Sequence, residues 1–133
     1  MIGLDTNVIA RYVLNDDDAQ FAAARKLFTS LTAARPGFIT HVTLVELHWL
    51  MRRRYKVPRE ACLAAIHKLV EMRHLEFEDG ESVVRALVLA EDGADFADAL
   101  IAASGELFGV RDFVTFDRAA AKRLGWRALD AAG

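Results

Sequence analysis

The stretch MIGLDTNVIA, residues 1–10, decides how the rest of the chain is interpreted. Residues 2–4 are typical of a short buried strand, yet the apolar run ends on Asp5, followed by the polar pair Thr6 and Asn7. An acid in that position can cap the helix that follows it, or it can belong to a metal-binding or catalytic site. The rest of the sequence has to decide between these two interpretations.

Short apolar segments alternate with helical patterns along the chain. The predicted strands cover residues 2–5, 38–40, 74–78 and 113–116, with a final edge strand at 126–129. The predicted helices cover 8–14, 19–33, 42–54, a segment beginning at Pro58, and then 80–91, 96–108 and 118–124. Strands that alternate with helices predict an α/β fold, a three-layer α/β/α sandwich around a central, mostly parallel sheet. We expect residues 1–133 to form one domain.

The composition is that of a compact protein. The 133 residues are 53% hydrophobic and 27% charged, with a net charge of −2 and one cysteine. No intrachain disulfide is therefore possible, and the charge gives no global attraction to nucleic acid. No basic leader precedes the first apolar residues, and no apolar run approaches the roughly 20 residues that span a bilayer. We therefore expect a cytoplasmic protein with no membrane partner.

Four acids stand out because their sequence neighbours are apolar, namely Asp5, Glu46, Asp98 and Asp117. Asp5 and Asp117 follow predicted strands, and ligands of open parallel sheets bind at the carboxyl ends of the strands. Asp98 lies near the start of a helix that would return to the same edge. If the four acids converge there, their oxygen atoms suit Mg²⁺ or Mn²⁺ better than zinc.

Each acid also has an ordinary structural interpretation. Asp5 and Asp117 can cap the helices that follow them, and Asp95 can cap a helix whose dipole Asp98 then faces. Glu46 can pair with an arginine from elsewhere in the fold. All four interpretations together would be a coincidence, so the sequence favours a common metal site.

Four segments carry a resemblance to a known family. They are DTNVIARYVLNDD (5–17), TLVELHWLMRRRY (43–55), GADFADALIAA (93–103) and FVTFDR (113–118). In content and order they resemble the PIN-domain ribonucleases, in particular the VapC toxins of type II toxin–antitoxin pairs. The resemblance covers essentially the whole chain.

The resemblance implies a Mg²⁺-dependent endoribonuclease, with Mn²⁺ as a substitute, that cleaves RNA phosphodiesters. It also implies a VapB-type antitoxin as partner, whose tail enters the active-site groove, and a homodimer. The implied catalytic and metal-binding acids are Asp5, Glu46, Asp98 and Asp117. The implied auxiliary residues are Thr6 and Asn7, which support the first acid, Thr115, which faces the site, and Asp95 as an auxiliary or capping residue.

Basic residues near these segments are candidates for binding RNA phosphates, and they are Arg11, Arg52, Arg53, Arg54 and Arg118. The run at 52–54 can equally complement a helix C-terminus and stay solvated. The histidines show no zinc-binding spacing. Trp49 and Phe21 are expected to pack in the core or in an oligomer interface.

Rival functions lack residues that they need. A haloacid-dehalogenase-like phosphatase needs a second acid two residues after Asp5, where this chain has Asn7. A receiver domain needs an early acidic pair and a phosphoacceptor on a central strand. Two alternatives stay open: a PIN nuclease of RNA processing, and a catalytically silent PIN-like binding module.

Overall fold

The structure is a computed structural model that describes residues 1–131, so the last two residues of the predicted domain lie outside it. The chain divides into two compact units, residues 1–80 and residues 81 onward. The α-helices are α1 (Thr6–Leu14), α2 (Asp18–Ser30), α3 (His41–Trp49), α4 (Arg59–Glu71), α5 (Gly80–Glu91), α6 (Phe96–Leu107) and α7 (Arg118–Leu124). The strands are β1 (Ile2–Gly3), β2 (Gly37–Ile39), β3 (Leu75–Phe77), β4 (Val114–Thr115) and β5 (Arg127–Ala128).

The first unit is built on a parallel sheet with the strand order β1-β2-β3. Backbone hydrogen bonds continue past the strand ends, from Leu4 N to Phe38 O at 3.0 Å and from Glu78 N to Ile39 O at 3.0 Å. Because the strands are parallel, their carboxyl ends meet at one edge of the sheet. Asp5 and Thr40, which directly follow this pairing, therefore lie at that edge.

The core of the first unit lies where the helices cover the sheet. Its fully buried side chains include Ile9, Ile39, Leu44, Leu47 and Ile66. Gly37 lets β2 approach its neighbours, since a Cβ there would lie 2.8 Å from Leu4 Cδ1 and 3.0 Å from Leu75 Cδ2. A larger residue at position 37 would have to displace these core leucines.

The helix predicted for residues 42–54 is confirmed in extent, but its second half is not α-helical. The α-helix ends at Trp49 and continues as a π-helical turn over Leu50–Arg54, with Tyr55 N bonded to Leu50 O at 3.2 Å. Met51 is 1% exposed, so the turn buries this side chain while the three arginines after it are exposed. Such π-turns are frequent at functional sites.

The second unit contains α5, α6, α7 and a two-stranded parallel sheet, in which Val114 pairs with Arg127 and Thr115 with Ala128. Its core includes Val83, Leu87 and Phe96. The predicted last strand is confirmed, although it is shorter than residues 126–129.

Helices combined with small parallel sheets confirm the predicted α/β class. Element bounds differ from the predictions by a few residues: α2 begins at Asp18 and ends at Ser30, before the predicted Ala33. Within residues 1–131, none of the helices combines the length and the apolar character needed to cross a membrane.

Candidate functional site

Asp5 holds its position through the backbone of α1. Its side-chain Oδ1 accepts a hydrogen bond from Val8 N at 3.0 Å, so it is the N-cap of the helix. The residue is exposed, and its carboxylate makes no other hydrogen bond within residues 1–131. The capping interpretation is therefore correct, and it leaves Oδ2 available to a ligand. A cap and a ligand are compatible roles for one carboxylate.

Thr6 supports a different acid from the one expected. It is 7% exposed, and its hydroxyl donates a hydrogen bond to Glu46 Oε1 rather than to Asp5. This bond links the first turn of α1 to the middle of α3. Asn7 is exposed, and its side-chain amide makes no hydrogen bond within residues 1–131.

Glu46 is exposed, although its sequence neighbours are apolar. Leu44 and Leu47 are fully buried on the core side of α3, whereas Val42 and Trp49 are 76% and 58% exposed on the outer side with Glu46. Trp49 thus does not pack in the core of this chain. Within the described part of the chain Glu46 has no arginine partner, so the expected structural ion pair is absent there.

In the second unit, the negative charges of two acids act on the carboxylate of a third. Asp98 lies in the first turn of α6 and is half-buried. Desolvation raises the pKa of Asp98, and the negative charges of Asp95 and Asp117 raise it further. No ion pair formed within residues 1–131 includes any of these three acids. The fold therefore keeps like charges together without a compensating side chain.

Asp95 and Asp117 are both helix caps. Asp95 Oδ1 accepts from Asp98 N at 3.0 Å, and Asp117 Oδ1 accepts from Ala119 N at 2.8 Å and Ala120 N at 3.1 Å. Thr115 Oγ1 accepts a hydrogen bond from Asp117 N at 3.0 Å. Thr115 thus fixes the backbone that presents the Asp117 carboxylate.

The residues present fit a hard divalent cation in their chemistry. All the candidate donors are carboxylate oxygens, and a cation would favour the ionised form of Asp98, whose pKa is raised first by burial and then by the charges of Asp95 and Asp117. Within either unit, the described residues hold no ready group of three Asp, Glu, His or Cys side chains at metal-binding distances. That Asp5 and Glu46 act together with Asp98 and Asp117 stays a prediction of the sequence pattern.

The candidate RNA-binding arginines differ in whether their side chains already make hydrogen bonds or ring contacts. Arg11 pairs with Asp16 and donates to Tyr55 Oη at 3.2 Å, and its hydrogen bond to Asp16 raises the pKa of Arg11 and lowers that of Asp16. Arg52 donates to Val57 O at 3.1 Å, and the Arg54 guanidinium lies 5.9 Å from the ring centre of Tyr55.

Arg53 and Arg118 are exposed, and their side chains make no hydrogen bond, ion pair or ring contact within residues 1–131. These two are the candidates with guanidinium groups that are free to meet a phosphate.

Two concave surfaces of the first unit were not predicted. A groove of about 920 Å³ lies among α1, α2 and α4, with apolar walls that include Tyr12, Phe21 and Met72 and with Arg25 and Lys68 among its lining. Phe21 is half-buried in this groove rather than in the core, with its ring stacked on that of Tyr12 at 6.3 Å between ring centres. A smaller cavity of about 380 Å³ lies between α1 and α2, beside Asp5. Sequence patterns give no signal for either, because each depends on how separate helices pack against one another.

Comparison with protein-family models matches residues 2–126 to the family described as PIN domain. The match spans all four segments that carry the acids. No curated protein matches the chain significantly.

Proposed function

The chain belongs to the PIN-domain family, generally metal-dependent nucleases, and from this premise we propose that it is a Mg²⁺-dependent endoribonuclease acting as the toxin of a VapBC pair. The observation that carries this proposal is the placement of three acids in the second unit: Asp95 and Asp117 cap α6 and α7, half-buried Asp98 lies in the first turn of α6, and none of them forms an ion pair within residues 1–131. Like charges held together destabilise the metal-free protein, so their presence is explained if a cation binds them.

Hydrolysis of an RNA phosphodiester adds the oxygen of water to phosphorus and breaks the bond to the 3′ oxygen, which leaves as an alcohol after taking a proton. A divalent cation supplies an activated water and offsets the charge that builds on the phosphate oxygens. The side chains of this protein contribute fixed ligand oxygens. Asp5 and Asp117 are each oriented by a cap, and Glu46 is oriented by Thr6.

Asp98 has a separate contribution. A carboxylate whose pKa is raised is more basic, and so it is a stronger donor to a cation once it is ionised. Arg53 in the first unit and Arg118 in the second are each candidates for a phosphate contact, because both are exposed and make no hydrogen bond or ion pair within residues 1–131.

The direct test is cleavage of a defined single-stranded RNA by purified protein, with Mg²⁺ and with a chelator. We expect cleavage with Mg²⁺ or Mn²⁺, and loss of cleavage in Asp5→Asn and Asp98→Asn. A folded Asp98→Asn preparation with full activity would overturn the assignment. Calorimetric titration adds a second readout, since absence of Mg²⁺ and Mn²⁺ binding would favour a silent PIN-like module.

The antitoxin is the proposed partner of the groove among α1, α2 and α4. Its apolar wall suits one face of an amphipathic helix, and Arg25 and Lys68 suit acidic residues on that helix. Phe21→Glu should weaken binding of a VapB-type antitoxin. Thr29→Glu, on an exposed position of α2 outside the groove, should leave it unchanged. Equal binding by both variants would indicate that the antitoxin binds another surface of the protein.

A homodimer is also proposed, in a cytoplasmic setting. The exposed apolar side chains Leu107 and Phe108, at the end of α6 far from Asp98 in its first turn, support a second copy as the group that covers them. Sedimentation analysis should show a dimer for the wild type and a monomer for Phe108→Glu. A monomeric wild-type protein at micromolar concentration would contradict it.

A further inference from the structure

The smaller cavity, between α1 and α2, is a candidate binding site in its own right. It encloses about 380 Å³ and has Asp5 on its border. Its lining residues are Asp5, Asn7, Val8, Arg11, Gln20, Ala23, Ala24 and Leu27. Ligand sites are typically apolar hollows with a few polar groups that fix orientation, and this cavity has that composition.

The apolar part of the cavity is made of small and half-buried side chains. Val8 and Leu27 are half-buried, and Ala24 is 6% exposed. Ala23 is exposed, and its short side chain leaves the space between the two helices open. These surfaces can accept the faces of a flat, unsaturated ring.

The polar part of the cavity carries unused hydrogen-bonding capacity. The carboxamides of Asn7 and Gln20 make no hydrogen bond within residues 1–131, while Gln20 N is fixed by Asp17 Oδ1 at 2.9 Å. Each carboxamide offers both a donor and an acceptor. Arg11 is held by Asp16 and Tyr55, so it forms a wall of the cavity.

We propose that this cavity is a nucleobase subsite, in which an unstacked base of the RNA lies next to Asp5 and Gln20 contacts its edge. The inference rests on the proposed ribonuclease function and deepens it. Proteins read single-stranded RNA by taking up splayed bases and bonding their edges. Glutamine and asparagine match the paired donor and acceptor of adenine, so adenine is the expected base. The subsite would set which base stands beside the cleaved bond.

An antitoxin side chain is the other occupant of suitable size. The larger groove already offers a protein partner a longer and more apolar surface. The paired donors and acceptors of Asn7 and Gln20, beside a candidate catalytic acid, favour a base in the smaller cavity. The experiment below separates the two occupants.

The test uses the full chain and a single-stranded RNA library with randomised sequence, followed by sequencing of the cleaved ends. Ala23→Phe fills the cavity, and Ala22→Phe is the matched control, because Ala22 is the adjoining exposed residue and does not line it. We expect the wild type and Ala22→Phe to share a base preference at one position. Ala23→Phe should lose that preference and cleave the preferred RNA roughly tenfold more slowly.

A second variant tests the subsite independently, in case Ala23→Phe does not fold. Gln20→Leu should weaken the preference at that same position, with circular dichroism equal to that of the wild type. An unchanged preference in both Ala23→Phe and Gln20→Leu would overturn the subsite while leaving the ribonuclease intact. Loss of antitoxin binding in Ala23→Phe with unchanged preference would assign the cavity to the protein partner instead. Absence of any cleavage by the wild type would overturn the proposed function and the subsite together.

Discussion

The Thr6 hydroxyl donates a hydrogen bond to the Glu46 carboxylate, across 40 residues of sequence. Thr6 is buried at the start of α1, whereas Glu46 is exposed in the middle of α3. The bond fixes one oxygen of a long and otherwise solvated side chain and leaves the second oxygen available. Thr6 is thus a positioning residue for Glu46.

Thr6→Val removes this hydroxyl while keeping a branched side chain of similar size. We expect RNA cleavage to fall about tenfold, which corresponds to one hydrogen bond of typical strength. The melting temperature should change little, because the exposed Glu46 carboxylate can bind water instead. Thr6→Ser keeps the hydroxyl and should retain most of the activity. Equal activity in the valine and serine variants would contradict this role.

Asp117 offers a way to separate capping from metal binding. Asparagine caps helices about as well as aspartate, whereas alanine loses about 1 kcal/mol of stability at such a position. In chelator Asp117→Asn should therefore melt no lower than the wild type, since it also removes a charge that acts on Asp98, and it should lose Mg²⁺-dependent cleavage. Asp117→Ala should melt below the asparagine variant and should also lose cleavage. Circular dichroism melting and an RNA cleavage assay measure the two effects, and substantial cleavage by the folded Asn variant would show that Asp117 only caps α7.

Strands and helices could be predicted from the sequence because their patterns are local. The short strands before Asp5 and Asp117, although each is shorter than predicted, and the caps at Asp95 and Asp117 follow from residue types a few positions apart. The family resemblance added the functional interpretation, which the match over residues 2–126 confirms at the level of the PIN domain.

Properties that depend on distant residues could not be predicted in the same way. Glu46 has apolar neighbours in sequence, but the helix turns them towards the core and leaves Glu46 exposed. Thr6 was expected to support Asp5, its neighbour in the chain, and it contacts Glu46 instead. The π-helical turn at 50–54, which buries Met51, also has no signature in composition.

Arg53 should contribute to RNA binding through charge alone. It is exposed and free of partners within residues 1–131, whereas Arg52 is bonded to Val57 O. Each phosphate contact to a single strand contributes about 0.7 to the slope of log affinity against log salt concentration. Arg53→Gln should reduce that slope by about this amount, measured by fluorescence anisotropy with labelled RNA.

Arg35 is a control for Arg53 at another exposed position of the first unit. Arg35 is exposed and precedes β2, whereas the candidate site lies past the carboxyl ends of the strands. Arg35→Gln makes the same change of charge and should leave the slope unchanged. Equal losses in both variants would indicate a general charge effect rather than a phosphate contact.

Asp98 should destabilise the metal-free protein when it is ionised. Because the folded pKa of Asp98 is raised, the folded state holds this proton to higher pH than the unfolded chain does. Its contribution to stability is therefore most favourable below the unfolded pKa and is lost as the pH rises through the folded pKa. At pH 7 with a chelator, Asp98→Asn should melt a few degrees above the wild type, and this difference should vanish in acid.

Addition of Mg²⁺ should reverse the order of the two proteins. The cation binds the folded wild type and raises its melting temperature, whereas Asp98→Asn has lost a ligand and should respond weakly. Glu91→Gln, which removes an exposed acid of the same unit, should behave as the wild type in both conditions. If Asp98→Asn is no more stable than the wild type in chelator, the charge repulsion among Asp95, Asp98 and Asp117 is too weak to support the metal site proposed here.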